Sequence, residues 1–294
     1  MSKSLKYIVL IVVLLIANMW LFFADSWASD SKTTTYFNAE DMSSVSMIQF
    51  VLENEVVKIE RSEQGWTLND EFKADDGFVT TLISVLQRVD VSRVVGSWEQ
   101  EILGSVEVEF DFNSRYRFDF ASNATRTKSY FIDEGVAKEV SVPGYRDNVV
   151  DLFDLHPDQW RDRLVFDGSW RTIQKVDVEY SNGTNSFDIS FNDKFFLVNG
   201  ESPQDSTKVI DYLNQFEYFQ ANEMISKGRF PEFDSLMNTQ PLATIELDDI
   251  KSDVPTTLAI FLPLDGQRYH LIVKDGIQQM VVDGRRVNSL LRRP

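Results

Sequence analysis

The run Trp160-Arg161-Asp162-Arg163 is the part of this sequence best equipped for chemistry. A guanidinium grips a carboxylate through parallel hydrogen bonds and stacks on an aromatic face, so such a run can recognise an acidic or carbohydrate ligand. The competing reading, a buried junction that locks two parts of the fold, is favoured because the run lies between two similar halves of the chain. The other polar candidates are weaker. The chain has two histidines, His156 and His270, and neither has a partner at metal-ligand spacing. Paired carboxylates can run glycoside hydrolysis when they face each other in a cleft. Here Asp75-Asp76, Asp248-Asp249, Asp162 and Asp167 sit among 46 acidic residues, where caps and solvated turns are the expected roles. Asp177–Gly183 lacks the alternating oxygens and closing Glu of a calcium loop. Nothing resembles a phosphate-binding glycine loop, a nucleophile elbow or a zinc-protease helix. No catalytic, cofactor-binding or metal residue is assigned, and the chain is not expected to be an enzyme. In the aromatic stretch further on, Phe230 and Phe233 of a predicted loop could present an apolar contact to a partner.

The elements that would position these residues are legible because the chain repeats itself. At an offset of 130 positions Ile48 falls on Val178, Phe50 on Tyr180, Ile59 on Ile189, Trp66 on Phe196 and Val79 on Val209. Each copy opens with alternating apolar residues, which predict short antiparallel strands. The period then changes. Asp75-Asp76 offer an N-cap to a helix faced by Val79, Leu82, Ile83 and Leu86, and Asp205-Ser206 to one faced by Val209, Tyr212, Leu213 and Phe216. Four more strands follow each helix: near Val106–Phe110, Tyr116–Phe120, Ser129–Ile132 and Glu139–Val142, then near Ala243–Leu247, Thr257–Phe261, Tyr269–Val273 and Gln278–Val282. Gly135 corresponds to Gly276 and Gly144 to Gly284, at an offset near 140. The expectation is an α+β fold of two tandem strand-helix-strand modules, antiparallel sheets with a helix packed on one face. The divisions are an anchor over 1–24, a tether over 25–44, module one over 45–153, a packed segment over 154–172 and module two over 173–294.

Composition narrows the compartment and the partners. There are 294 residues, 43% hydrophobic and 13% aromatic, enough for two ordinary cores. The net charge of −17 repels nucleic acid, which is excluded as a main ligand. The late arginines Arg285, Arg286, Arg292 and Arg293 read as a solvated basic tail. With no cysteine there are no disulfides, thiolate metal sites, cysteine nucleophiles or lipid-modified cysteine anchor. Lys3 and Lys6 precede an uncharged run from Tyr7 to Phe23, long enough to cross a bilayer as a helix, with Trp20 and Trp27 as interfacial aromatics. Ser26-Trp27-Ala28 keeps cleavage open. The expected arrangement is a single-pass inner-membrane anchor, N-terminus inside and body periplasmic, on a coil reaching about 25 Å.

Gly65-Trp66-Thr67-Leu68-Asn69, Tyr130-Phe131-Ile132, Val142-Pro143-Gly144-Tyr145, Trp160-Arg161-Asp162-Arg163 and Val176–Tyr180 together resemble the family called domain of unknown function 4340. The likeness covers most of the chain after the tether. It implies a bacterial envelope protein encoded beside subunits of gliding-type ABC transporters, and it carries no catalytic residues. The function expected is an anchored extracytoplasmic interaction or scaffold protein, accessory to an ABC-type envelope transport system, with no cofactor. The alternative is a periplasmic ligand-binding module that uses the cleft between the repeats. A glycan hydrolase comes a distant third.

Overall fold

The computed structural model describes residues 34–37, 42–111, 114–145 and 147–294. Along the chain run β1 (Thr34–Thr35), β2 (Val45–Leu52), β3 (Val56–Ser62), β4 (Gly65–Leu68), β5 (Phe72–Lys73), α1 (Asp76–Leu86), β6 (Asp90–Ser97), β7 (Gly104–Phe110), β8 (Arg115–Ser122), β9 (Ser129–Asp133) and β10 (Val136–Ser141). Then come β11 (Leu164–Phe166), β12 (Ile173–Tyr180), β13 (Phe187–Asn192), β14 (Phe195–Val198), α2 (Ser206–Leu213), β15 (Phe219–Gln220) and β16 (Glu223–Ile225). The last elements are α3 (Pro231–Leu236), β17 (Ala243–Asp249), β18 (Thr256–Ile260), β19 (Tyr269–Lys274), β20 (Gln278–Asp283) and α4 (Gly284–Leu291). The chain divides into two compact units, one of residues up to Val45 with Leu82–Phe153, the other of Ser46–Thr81 with Asp154–Pro294.

In the first unit the antiparallel order is β1-β6-β10-β9-β8-β7. Alternation puts Phe118, Phe120 and Phe131 on one face, where Phe118 and Phe131 lie 4.4 Å apart and Phe153 packs 5.1 Å from Phe120. Tyr36 and Phe37, inside the stretch expected to be a free tether, join this cluster, with Tyr36 5.0 Å from Phe131. The Tyr116 hydroxyl donates to Asp133 Oδ2 at 2.8 Å and lies 3.1 Å from the Tyr36 hydroxyl. Burial raises the pKa of both phenols, that of Tyr116 to about 12.

The second unit holds the meander β2-β3-β4-β5, a small β11-β15 pair, and an eight-stranded antiparallel sheet ordered β14-β13-β12-β17-β18-β19-β20-β16. One face of that sheet buries Val176, Ile189, Ile245 and Ile272 under α2 and α4, through Val209, Leu213, Val287 and Leu290. Leu271 and Val273 point the other way and are covered by Phe233 of α3. Strand β19 is therefore apolar on both faces and shows no simple alternation. Two tyrosines tie down the end of α4: Tyr212 donates to the Leu290 carbonyl at 2.7 Å and Tyr180 to that of Leu291 at 2.8 Å.

The orders β6-β10-β9-β8-β7 and β2-β3-β4 reappear as β16-β20-β19-β18-β17 and β12-β13-β14. The offset between them is not constant. Ile48 pairs with Ile59, but Ile189 pairs with Val176, so Ile48 corresponds to Val176 and not to Val178. The β12-β13 loop is longer by two residues, and the offset of 130 holds from β13 onward, where Ile189 faces Val198 as Ile59 faces Leu68. Gly144 sits in a turn at φ +80°, whereas Gly284 opens α4, so those glycines do not play equivalent roles.

The expected α+β class is corrected. Among the described residues strands take 43% and helices 18%, so the fold is mainly antiparallel β. α1 and α2, of 11 and 8 residues, are short attachments to the sheets and not a second structural layer of equal weight. The segment Tyr7–Phe23 lies outside the described residues. Among those described, no helix is long and apolar enough to cross a membrane.

Candidate functional site

The segment from Leu155 to Phe166 belongs wholly to the second unit and carries the four singled-out residues. It begins with a tight helical turn over Pro157–Trp160. His156 caps that turn. Its Nδ1 accepts from the Asp158 N–H at 3.1 Å, and its own N–H donates to Gln159 Oε1 at 3.0 Å, a reciprocal cap with proline at the first position. Trp160 then enters the core fully buried, its ring 5.5 Å from Phe50 and 4.6 Å from Phe78. The indole N–H finds no acceptor among the described residues.

Past the turn the backbone seals the edge of the β2–β5 meander. Trp160 O accepts from Asp75 N at 2.8 Å, Asp162 N donates to Lys73 O at 2.8 Å, and Ala74 bridges to Arg161. Arg161 is buried, with its guanidinium 3.8 Å from the centre of the Phe72 ring and Nη1 3.4 Å from Asp158 Oδ1. Burial lowers its pKa from the usual arginine value, and the charge of Asp158 opposes that shift. Asp162 binds Lys73 Nζ at 2.9 Å and accepts from Leu164 N at 3.0 Å, a turn that starts β11. That bond raises the Lys73 pKa.

The residue that organises the cluster is Asp158, which the sequence reading did not single out. Its carboxylate is wholly shielded from solvent. It accepts from Ser226 N at 2.8 Å, Ser226 Oγ at 2.6 Å, Arg229 Nη1 at 3.2 Å and Arg161 Nη1. Arg229 also reaches Glu223 Oε1 at 2.9 Å. No local pattern marks Asp158, because its partners lie some 70 residues away.

Of the four residues, only Arg163 stays exposed. It lines a cleft of about 600 Å³ with Asp75, Phe78, Thr81, Gln159 and Glu223. The walls are about equally polar and apolar, the apolar part coming from Phe78, Leu155 and Met224, and the buried carboxylate in them already accepts from Ser226. The cleft therefore presents hydrogen-bonding groups, the carboxylates of Asp75 and Glu223, and the guanidinium of Arg163.

The remaining candidates are structural. Phe233 is buried against Phe261, Leu271 and Val281, and Phe230 is half-buried beneath the Arg229 guanidinium at 4.8 Å. Where a loop was expected, Pro231 starts α3, so that Phe233 packs on the sheet while Phe230 keeps part of its surface open. His270 is buried with Nδ1 2.8 Å from the Phe261 carbonyl oxygen. Asp75 Oδ1 accepts from Phe78 N at 3.0 Å and Asp76 Oδ1 from Trp66 N at 3.0 Å. Asp249 accepts from Thr172 Oγ1 at 2.7 Å and Lys251 N at 2.8 Å, while Asp167 pairs with Lys251 Nζ at 3.2 Å. Among the described residues, no three His, Asp or Glu side chains converge as metal ligands would. No family model, curated protein or solved structure matches this chain.

Proposed function

We propose that the chain is a membrane-anchored extracytoplasmic interaction protein, accessory to an ABC-type envelope transport system. The observation that carries this reading is the structural use of the polar cluster at Asp158, whose donors Ser226 and Arg229 join distant segments of one unit. The basic-then-apolar N-terminus supports the anchor, and the resemblance to domain of unknown function 4340 supports the company. A periplasm-active reporter fused after Pro294 is expected to be active and a cytoplasm-active one silent; the reverse result refutes the topology. Co-purification from detergent tests the rest. ABC-type subunits should be recovered with the full chain and lost when Met1–Ala24 is replaced by a cleavable signal, because a released body loses its effective concentration at the membrane. A ligand-binding module is the second reading, supported by the exposed Arg163 in its cleft.

A further inference from the structure

The two repeats differ in what covers the helix that follows their first strands. α1 and α2 start alike: Asp75 and Asp205 each accept from a first-turn N–H, at 3.0 Å in both. By the spacing of 130 that holds in this region, Phe78 and Thr81 of α1 correspond to Lys208 and Asp211 of α2. On α1 that face is partly met by the chain itself, with Trp160 packed on Phe78 at 4.6 Å, while Thr81 lines the cleft shared with Leu155 and Gln159. On α2 it opens into a hollow of about 740 Å³, lined by Lys208, Arg285, Arg292 and Arg293. A second hollow of about 430 Å³, lined by Tyr180, adjoins it and shares Asn288, Arg292 and Arg293.

The charge of this place is opposite to that of the protein. The chain carries −17, yet four cationic side chains line the larger hollow, beside Pro294, against one acidic side chain, Asp211. Arg285 is engaged by Asp283 at 3.4 Å. Lys208, Arg292 and Arg293 are exposed, and none makes an ion pair among the described residues. Lys208 belongs to α2, and Arg292 and Arg293 follow directly on α4, whose apolar side is anchored through Val287, Leu290 and Leu291. We infer that this hollow docks an acidic segment of a partner protein, drawn by its excess of cations, which packs on α2 at the position where Trp160 packs on α1. Carboxylates of the segment would pair with Arg292, Arg293 and Lys208, and an apolar side chain would lie beside Tyr180.

The test uses the full chain in a nonionic detergent and a fluorescent synthetic peptide of alternating Glu and Trp. Binding is read by anisotropy, with a Lys-for-Glu peptide, inorganic phosphate and phosphatidylglycerol vesicles as comparators. The Glu peptide should bind and the Lys peptide should not. The double variant Arg292→Glu, Arg293→Glu, with an unchanged melting curve, should weaken binding by at least about tenfold, and Lys208→Glu should weaken it too. Equal binding to wild type and variant, or no binding, overturns the inference. So does displacement by phosphate at concentrations comparable with the peptide, which would mean a small-anion site. Preferential binding to vesicles would assign the patch to a lipid surface, and self-association abolished by the double variant would assign it to a second copy; either result also overturns it. No membrane partner enters the assay, so it can fail while the envelope reading stands, and the reverse.

Discussion

Replacing Asp158 with asparagine isolates the cluster that holds the second unit together. The change is nearly isosteric, so no cavity opens. The carboxylate accepts from Ser226 N, Ser226 Oγ, Arg229 and Arg161, at 2.6 to 3.4 Å. An amide keeps one acceptor oxygen and turns an NH₂ toward donors; the Ser226 hydroxyl can turn to accept from it, but at least one guanidinium bond is lost. A hydrogen bond to a charged group contributes about 1.5–3 kcal/mol, and removing one partner of a buried pair costs about 3–5 kcal/mol. These figures describe the same loss and are not summed. Arg229 is partly solvated and can turn to Glu223, so its share is small. Arg161 cannot do so, because it is buried under Phe72 with Asp158 as its counter-charge. The expected cost is therefore about 3–4 kcal/mol, near the lower half of that range.

Two compact units need not melt together, so the assay has two parts. Urea denaturation gives the overall shift, and amide hydrogen exchange of peptides covering Leu155–Phe166 and Ala221–Arg229 locates it. Both peptides should exchange faster in Asp158→Asn while the β7–β10 region does not. The double variant Asp158→Asn, Arg161→Met should cost less than the sum of the single changes, since it removes the orphaned charge. A loss below about 0.5 kcal/mol with unchanged exchange would refute the claim that Asp158 is the organising residue.

Trp160→Ala should cost about 3–5 kcal/mol, but Trp160→Phe less than half of that, because the indole N–H has no acceptor to lose; urea midpoints decide, and equal costs would count against it. Gly65→Ala should destabilise by about 1–3 kcal/mol, read as a lowered melting temperature, because φ there is +114° and an added Cβ would lie 2.6 Å from Asp76 Oδ1. Tyr116 has its folded pKa raised to about 12, above the usual phenol value, so the folded state holds the proton more tightly than the unfolded one. Its stabilisation is complete below about pH 10 and is lost as pH rises toward 12. Ultraviolet titration at alkaline pH should show a late phenol transition that Tyr116→Phe removes.

The hairpin strands were legible as short apolar runs bounded by turn residues: Ser129–Ile132 and Tyr269–Val273 lie within the observed β9 and β19. Asp75 was legible as a cap for the same local reason. Strand β6 was missed because its middle is exposed and carries no alternation, with Val94 and Val95 both open to solvent. α4 could have been found. Val287, Leu290 and Leu291 stand at helical spacing, but the flanking arginines drew attention to charge instead. Phe233 misled in the opposite sense, since an aromatic after proline reads as a loop until α3 is seen to cover β19.

The two-residue slip between β2 and β12 shows where a repeat stops being readable. In a strand buried on one face, every second position is apolar, so Ile48 matches Val176 and Val178 equally well. Only the partner strand breaks the tie, through the pairs Ile48 with Ile59 and Val176 with Ile189. The site fails to be legible for a related reason. Trp160 and Arg161 were found as a conspicuous run, but their roles depend on Phe72, Phe78 and Asp158, and Asp158 depends on Ser226 and Arg229. Composition at one place can therefore nominate residues, while burial and distant donors decide whether they bind a ligand or hold the fold. The Asp158 carboxylate is satisfied from within the fold by Ser226 and Arg229, whereas Arg292, Arg293 and Lys208 make no ion pair among the described residues. That contrast, more than any motif, separates the junction from the surface where a partner is to be sought.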